Sequence, residues 1–137
     1  MWSEKYRSRF ILSGRIGRKD FAKNLAFIFL SAGLLFWMMV SAMETNPVLL
    51  PFGIIYFGFL LWNLFCLIVK RLHDMGYGAW WLLAYWFGGL VVSVLVSLIN
   101  KSSVVDIMIQ GAITLAFYAI LLSIKGQPQT NKFGEPV

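Results

Sequence analysis

The nine residues from Lys70 to Gly78, reading KRLHDMGYG, hold the side chains best suited to chemistry in this chain. They include its only histidine, His73, with Asp74 beside it and Lys70 and Arg71 just before. An imidazole that titrates near neutrality can serve as general base, metal ligand or pH sensor. Asp74 lies four residues from Lys70 and three from Arg71, spacings that pair opposite charges on one helical face. Gly76 suits the left-handed C′ position that ends a helix, and the two cations complement that helix's negative carbonyl end. One histidine and one aspartate fall short of the three or four ligands that a zinc site takes. No G-x-S-x-G elbow, phosphate-binding glycine loop or carboxylate pair within a span accompanies them. The sequence therefore names no catalytic residue, no metal ligand and no cofactor. Two readings of the segment stand: a structural turn knitted by charges, and a binding or catalytic site.

The elements that carry this turn are apolar to an unusual degree. Of 137 residues, 59% are hydrophobic and 13% charged, where soluble domains carry about 25% charged residues. Too few polar side chains exist to cover a soluble fold, so the apolar ones must face lipid. A hydrocarbon core of roughly 30 Å asks for about 20 apolar residues per helix. Four stretches meet that length, at about residues 24–43, 47–69, 79–99 and 104–124. The expectation is a single all-α domain, an integral membrane bundle of four antiparallel transmembrane helices. Cys66 is the only cysteine and falls inside a span, so it reads as a small buried hydrophobe.

The flanks and turns carry their own signals. Residues 1–22 read as a basic segment on the membrane surface, with aromatics such as Trp2, Tyr6 and Phe10 among the cations, or as a solvated tail. Asn46-Pro47 is an expected N-cap and first helical residue for the second span. Asn63, the strongly polar side chain of that span, is expected to face another helix. Gly89, Ser93 and Ser97, spaced by four, form a small-residue stripe that would admit another backbone. Ser103 and Asp106 approximate a capping box at the start of the fourth span. Residues 125–137, with two glycines and two prolines, are an irregular tail.

Charge sets the expected orientation. Eleven of the twelve Lys and Arg residues fall on the side that holds the amino terminus, the central turn and the tail. Only Lys101 falls on the other. The positive-inside rule then places both termini in the cytosol. The net charge of +6 points to anionic lipid at the membrane surface and not to nucleic acid.

Three motifs resemble those of a bacterial inner-membrane family catalogued as domain of unknown function 805. They are Gly14-Arg15-x-x-Arg18-Lys19-Asp20-Phe21, then Arg71-Leu72-His73-Asp74-x-Gly76 followed by Trp80-Trp81, and Gly126-x-Pro128-x-x-Asn131-Lys132-Phe133-Gly134. They stand in the family's order and span nearly the whole chain. The departures are Gly78-Ala79 where Ser-Gly is common, Gln129 in place of a second tail glycine, and Phe133 where tyrosine is common. The resemblance implies a small multi-pass protein of the inner (plasma) membrane and assigns no activity. All three motifs fall on the expected cytosolic face. Arg15, Arg18, Arg71, His73, Asp74 and Asn131 are therefore expected to converge there as one polar cluster capping the bundle. In it, Asp74 would neutralise an arginine of the first motif, and Asn131 would clip the tail to the turn.

Three functions compete. The first is a non-enzymatic module that binds anionic lipid or a protein partner, which includes a second copy of itself. The second is a small oligomeric transporter or channel, and the third a headgroup enzyme using His73 and Asp74 as an acid–base pair. The basic face and the absence of catalytic motifs favour the first.

Overall fold

The computed structural model describes residues 11–99 and 102–137, with the backbone alone at Glu44. The first ten residues of the expected surface segment lie outside the described residues. Helices α1 (Arg18–Thr45), α2 (Leu50–Asp74), α3 (Trp80–Ile99) and α4 (Ser103–Ser123) follow in order, with a 3₁₀ turn over Pro47–Leu49 between the first two. The described residues form no strand, and all four helices are long and apolar enough to cross a membrane.

Local chemistry explains where the helices stop. α1 begins after Gly17, whose extended backbone accepts the first helical bond from Phe21 N–H at 2.9 Å, and Asp20 in the first turn suits the positive helix end. Asn46 ends α1 by donating its N–H to Ala42 and opens the 3₁₀ turn by accepting from Leu49 N–H. It makes no side-chain cap, so the chain turns on Pro47 and on main-chain bonds in place of the expected Asn46 cap. α2 runs to Asp74 and closes in a Schellman motif. Gly76 N–H donates to His73 O at 3.0 Å, Tyr77 N–H donates to Leu72 O at 2.9 Å, and Gly76 takes φ +87°. α4 starts at Ser103, the expected cap itself, and Ser102 takes the N-cap position one residue earlier. Asp106 turns its carboxylate to the Ser93 hydroxyl, at 3.1 and 3.2 Å, and forms no capping box.

The four helices pack as two hairpins joined at one end. α1 lies along α2, with Gly53 so close to Met39 that an added Cβ would meet its Cγ at 2.9 Å. α3 lies along α4 through the stacked rings of Tyr85 and Phe117, 4.1 Å between centroids. The Tyr85–Thr114 hydroxyl pair at 2.9 Å and the Gln110 amide, donating to Gly89 O at 2.8 Å, extend this contact. The small-residue stripe thus admits polar side chains of α4 at Gly89 and Ser93, while Ser97 bonds back to Val94 O in its own helix.

The core sits where the hairpins meet. Phe21, Leu25 and Ile28 of α1 pack with Leu67, Ile68, Val69, Leu72 and Met75, and with Leu82 and Leu121. The end that carries the 70–78 turn, here the turn end, is therefore packed. Toward the far end the apolar side chains point outward: Leu30, Phe36, Ile55, Phe87 and Leu98 are each more than two-thirds exposed. The buried cluster thus gathers at the turn end, and Leu35, Ala42 and Leu60 are buried farther along α1 and α2. Asn63 is half-buried on a cavity between α1 and α2 and forms no hydrogen bond among the described residues, so it makes no clasp to another helix.

Candidate functional site

Asp74 is the hub of the turn end. It is the last residue of α2, and its side chain is 3% exposed. One carboxylate oxygen accepts from Arg15 Nε at 3.1 Å and Nη2 at 3.0 Å. The other accepts from Arg71 Nη1. Arg71 is therefore the local cation that pairs with Asp74, and Arg15 reaches it from 59 residues away in sequence.

Both arginines spend their remaining donors on main-chain carbonyls. Arg15 Nη1 donates to Gln129 O at 2.8 Å and Gly134 O at 3.3 Å, and Nη2 to Gln127 O. Arg71 donates to Leu121 O at 2.7 Å, to Ile124 O, and to Ile16 O at 3.3 Å. Leu121 and Ile124 end α4, where the last carbonyls have no helical donor. Arg71 thus caps the negative end of a neighbouring helix while it holds Asp74. Arg18 assists at the same end, donating to Ser123 O at 3.3 Å, and does not touch Asp74.

The tail closes over this pair. Gln127 N–H donates to Asp74 O at 2.8 Å. A Cβ on Gly126 would stand 2.0 Å from the Asp74 carboxylate, and one on Gly76 would stand 2.2 Å from the Gln127 amide. Only glycine fits either contact without moving a neighbour. Asn131 donates to His73 O at 3.0 Å and to Gln127 Oε1 at 2.9 Å, and accepts from Phe133 N–H at 2.9 Å. A two-way backbone bridge between Asn131 and Gly134 closes the loop.

His73 is set by the same tail. Its ring lies flat on Phe133, 3.7 Å between centroids and 5° between planes. Nδ1 is 3.3 Å from Gly14 O, at a glycine with φ +95°. Its hydrogen-bond partner is thus a main-chain carbonyl and not Asp74, whose oxygens both belong to arginines. The acid–base pairing expected of adjacent His and Asp is not formed.

The structure thus brings Arg15, Arg71, His73, Asp74 and Asn131 into one contiguous cluster, with Arg18 at its edge. Sequence reasoning gave no role to Gly126, Gln127 or the Phe133 ring. The departures at 129 and 133 are also explained. Residue 129 contributes its carbonyl, which any side chain leaves in place, and residue 133 contributes a ring face that needs no phenol. Chemically the cluster is saturated: among the described residues no buried side-chain nitrogen or oxygen lacks a partner, and no three His, Cys, Asp or Glu side chains gather as metal ligands.

Comparison with known proteins agrees with the three motifs. No curated protein and no solved structure matches the chain. A family model described as protein of unknown function (DUF805) matches residues 9–135, which takes in every residue of the cluster. The chain belongs to that family.

Proposed function

We propose that this protein is a non-enzymatic module of the bacterial inner membrane, crossing it four times with both termini in the cytosol. Its cytosolic face binds anionic lipid or a protein partner. The observation that carries this reading is how the charges are divided. Those of the cluster, on Arg15, Arg71 and Asp74, are buried and spent on one another and on carbonyls. Lys19, Lys23, Lys125 and Lys132 stand exposed at the same end. A closed interior supports a rigid scaffold, and open lysines support contact with phosphates, each worth about 1 kcal/mol near an anionic leaflet. Purification in nanodiscs tests it. Specific retention of an anionic phospholipid or of one protein partner is expected, and retention of neither across several detergents would refute the reading.

A second reading, a small oligomeric transporter or channel, draws on the polar seam between α3 and α4. There Tyr85 meets Thr114, Gln110 meets Gly89, and Ser93 meets Asp106. Polar groups at membrane depth mark solute paths. Solute flux in proteoliposomes that the Gln110→Leu change abolishes would favour this reading over the first.

A further inference from the structure

Along the polar seam, an open groove of about 260 Å³ lies between α3 and α4. Tyr85, Trp86, Gly89, Leu90 and Ser93 line it from α3, and Gln110 from α4. The three rungs of the seam differ in what they leave over. Tyr85 and Thr114 pair their hydroxyls at 2.9 Å. Ser93 donates to Asp106, which stands in the first turn of α4. Gln110 lies a turn deeper and meets Gly89, midway along α3. Its amide donates one N–H to Gly89 O at 2.8 Å and makes no other hydrogen bond among the described residues.

That remainder points to a partner. A primary amide carries two N–H donors and a carbonyl that accepts. Gln110 therefore keeps one N–H and its Oε1. The oxygen is accessible, since among the described residues no buried side-chain oxygen lacks a partner. At membrane depth an unpaired amide is costly, so the remainder calls for a partner that offers one acceptor and one donor. A second Gln110 offers that combination. Two such amides satisfy each other reciprocally across a two-fold axis, the isologous contact of a symmetric dimer. Copies inserted in the same sense are related by an axis along the membrane normal, which keeps each residue at its own depth. Gly88 and Gly111, the sequence neighbours of Gly89 and Gln110, are exposed, and a Cβ on either would meet nothing within 4 Å. Bare backbone of this kind lets another helix come close.

We propose that the α3–α4 groove is the interface of a homodimer, in which the Gln110 amide of each copy donates to and accepts from that of the other. Trp86 and Leu90, both more than half exposed, are covered by the second copy. The lining holds no cation and no carboxylate, so hydrogen bonds and packing make the contact. This deepens the partner-binding reading and rests on it, with a second copy of the chain as the partner.

The test uses full chains in phospholipid vesicles, labelled at the amino terminus with donor or acceptor fluorophores, and follows energy transfer as the protein is diluted in lipid. Gln110→Leu is expected to weaken dimerisation about ten-fold, the factor for two hydrogen bonds between helices in lipid. This change also removes the bond to Gly89, so a second arm leaves Gln110 in place. In a Cys66→Ala background, Leu90→Cys should form an intermolecular disulfide when copper phenanthroline is added. Phe36→Cys, exposed on α1 at a matching distance from the far end, should not. No crosslink at position 90, or equal crosslinking at position 36, would overturn the interface. So would a folded Gln110→Leu variant that dimerises undiminished. Monomers at every dilution that retain anionic lipid would overturn the dimer and leave the module reading standing. Monomers that retain neither lipid nor another protein would overturn both.

Discussion

At the scale of single residues, Asp74 is the carboxylate that both buried arginines share. Removing one member of a buried ion pair leaves an uncompensated charge, a loss of about 3–5 kcal/mol. Asp74→Ala strands two buried guanidiniums at once, so a loss at the upper end of that range is expected, read from denaturant titration in detergent. Gly126→Ala drives a methyl group into the same carboxylate. Overpacking of this kind costs about 1–3 kcal/mol. In the Asp74→Ala background the clash has no target, so the second change should then cost far less. Additive losses in the double variant would show that Gly126 matters for another reason. That Asp74 would meet a cation was legible, because Arg71 lies three residues away and few acids exist in the chain. The seven carbonyls that take the rest of the arginine donors were not, since a main-chain acceptor leaves no mark on residue type. Gly126 could be seen only as a tail glycine, because the closeness of approach that demands it arises between segments distant in sequence.

At the scale of elements, the Schellman turn at Gly76 sets how α2 ends and where the tail docks. Alanine at a positive φ is strained, and here its Cβ also meets the Gln127 amide. Gly76→Ala is therefore expected to speed hydrogen exchange several-fold at the last turn of α2, residues 71–75, while the α3–α4 seam keeps its protection. Equal loosening of both would mean that the turn and the seam unfold as one unit. The helices themselves were plain from hydropathy, since each needs only length and apolar content. Their starts were less so. The Ser103–Asp106 spacing fits a cap, yet the carboxylate finds the Ser93 hydroxyl on the facing helix, and a partner across a hairpin overrides a local pattern. Short turns predict antiparallel neighbours, as α1 with α2 and α3 with α4 are, whereas how the two hairpins meet was hidden, because uniform apolar faces do not show which neighbour they touch.

For the whole molecule, the broad exposed apolar surface at the far end has no place in water, where contiguous patches beyond a few hundred Å² are rare on monomers. Under the proposed membrane reading lipid covers it, and the orientation can be tested directly. In a Cys66→Ala background, Lys132→Cys should react with a membrane-impermeant thiol reagent only from the cytosolic side, and Asn46→Cys only from the opposite side. Labelling of both from one side would overturn the four-span topology. The way the two hairpins are tied also has a consequence for biosynthesis. Arg15 leaves the ribosome early, whereas its acceptors at Gln127, Gln129 and Gly134 are made more than a hundred residues later. Both hairpins are translated before the tail can close over them, so a nascent chain halted at Lys125 would hold them through Arg71 and Asp74 yet leave Arg15 without its carbonyl acceptors.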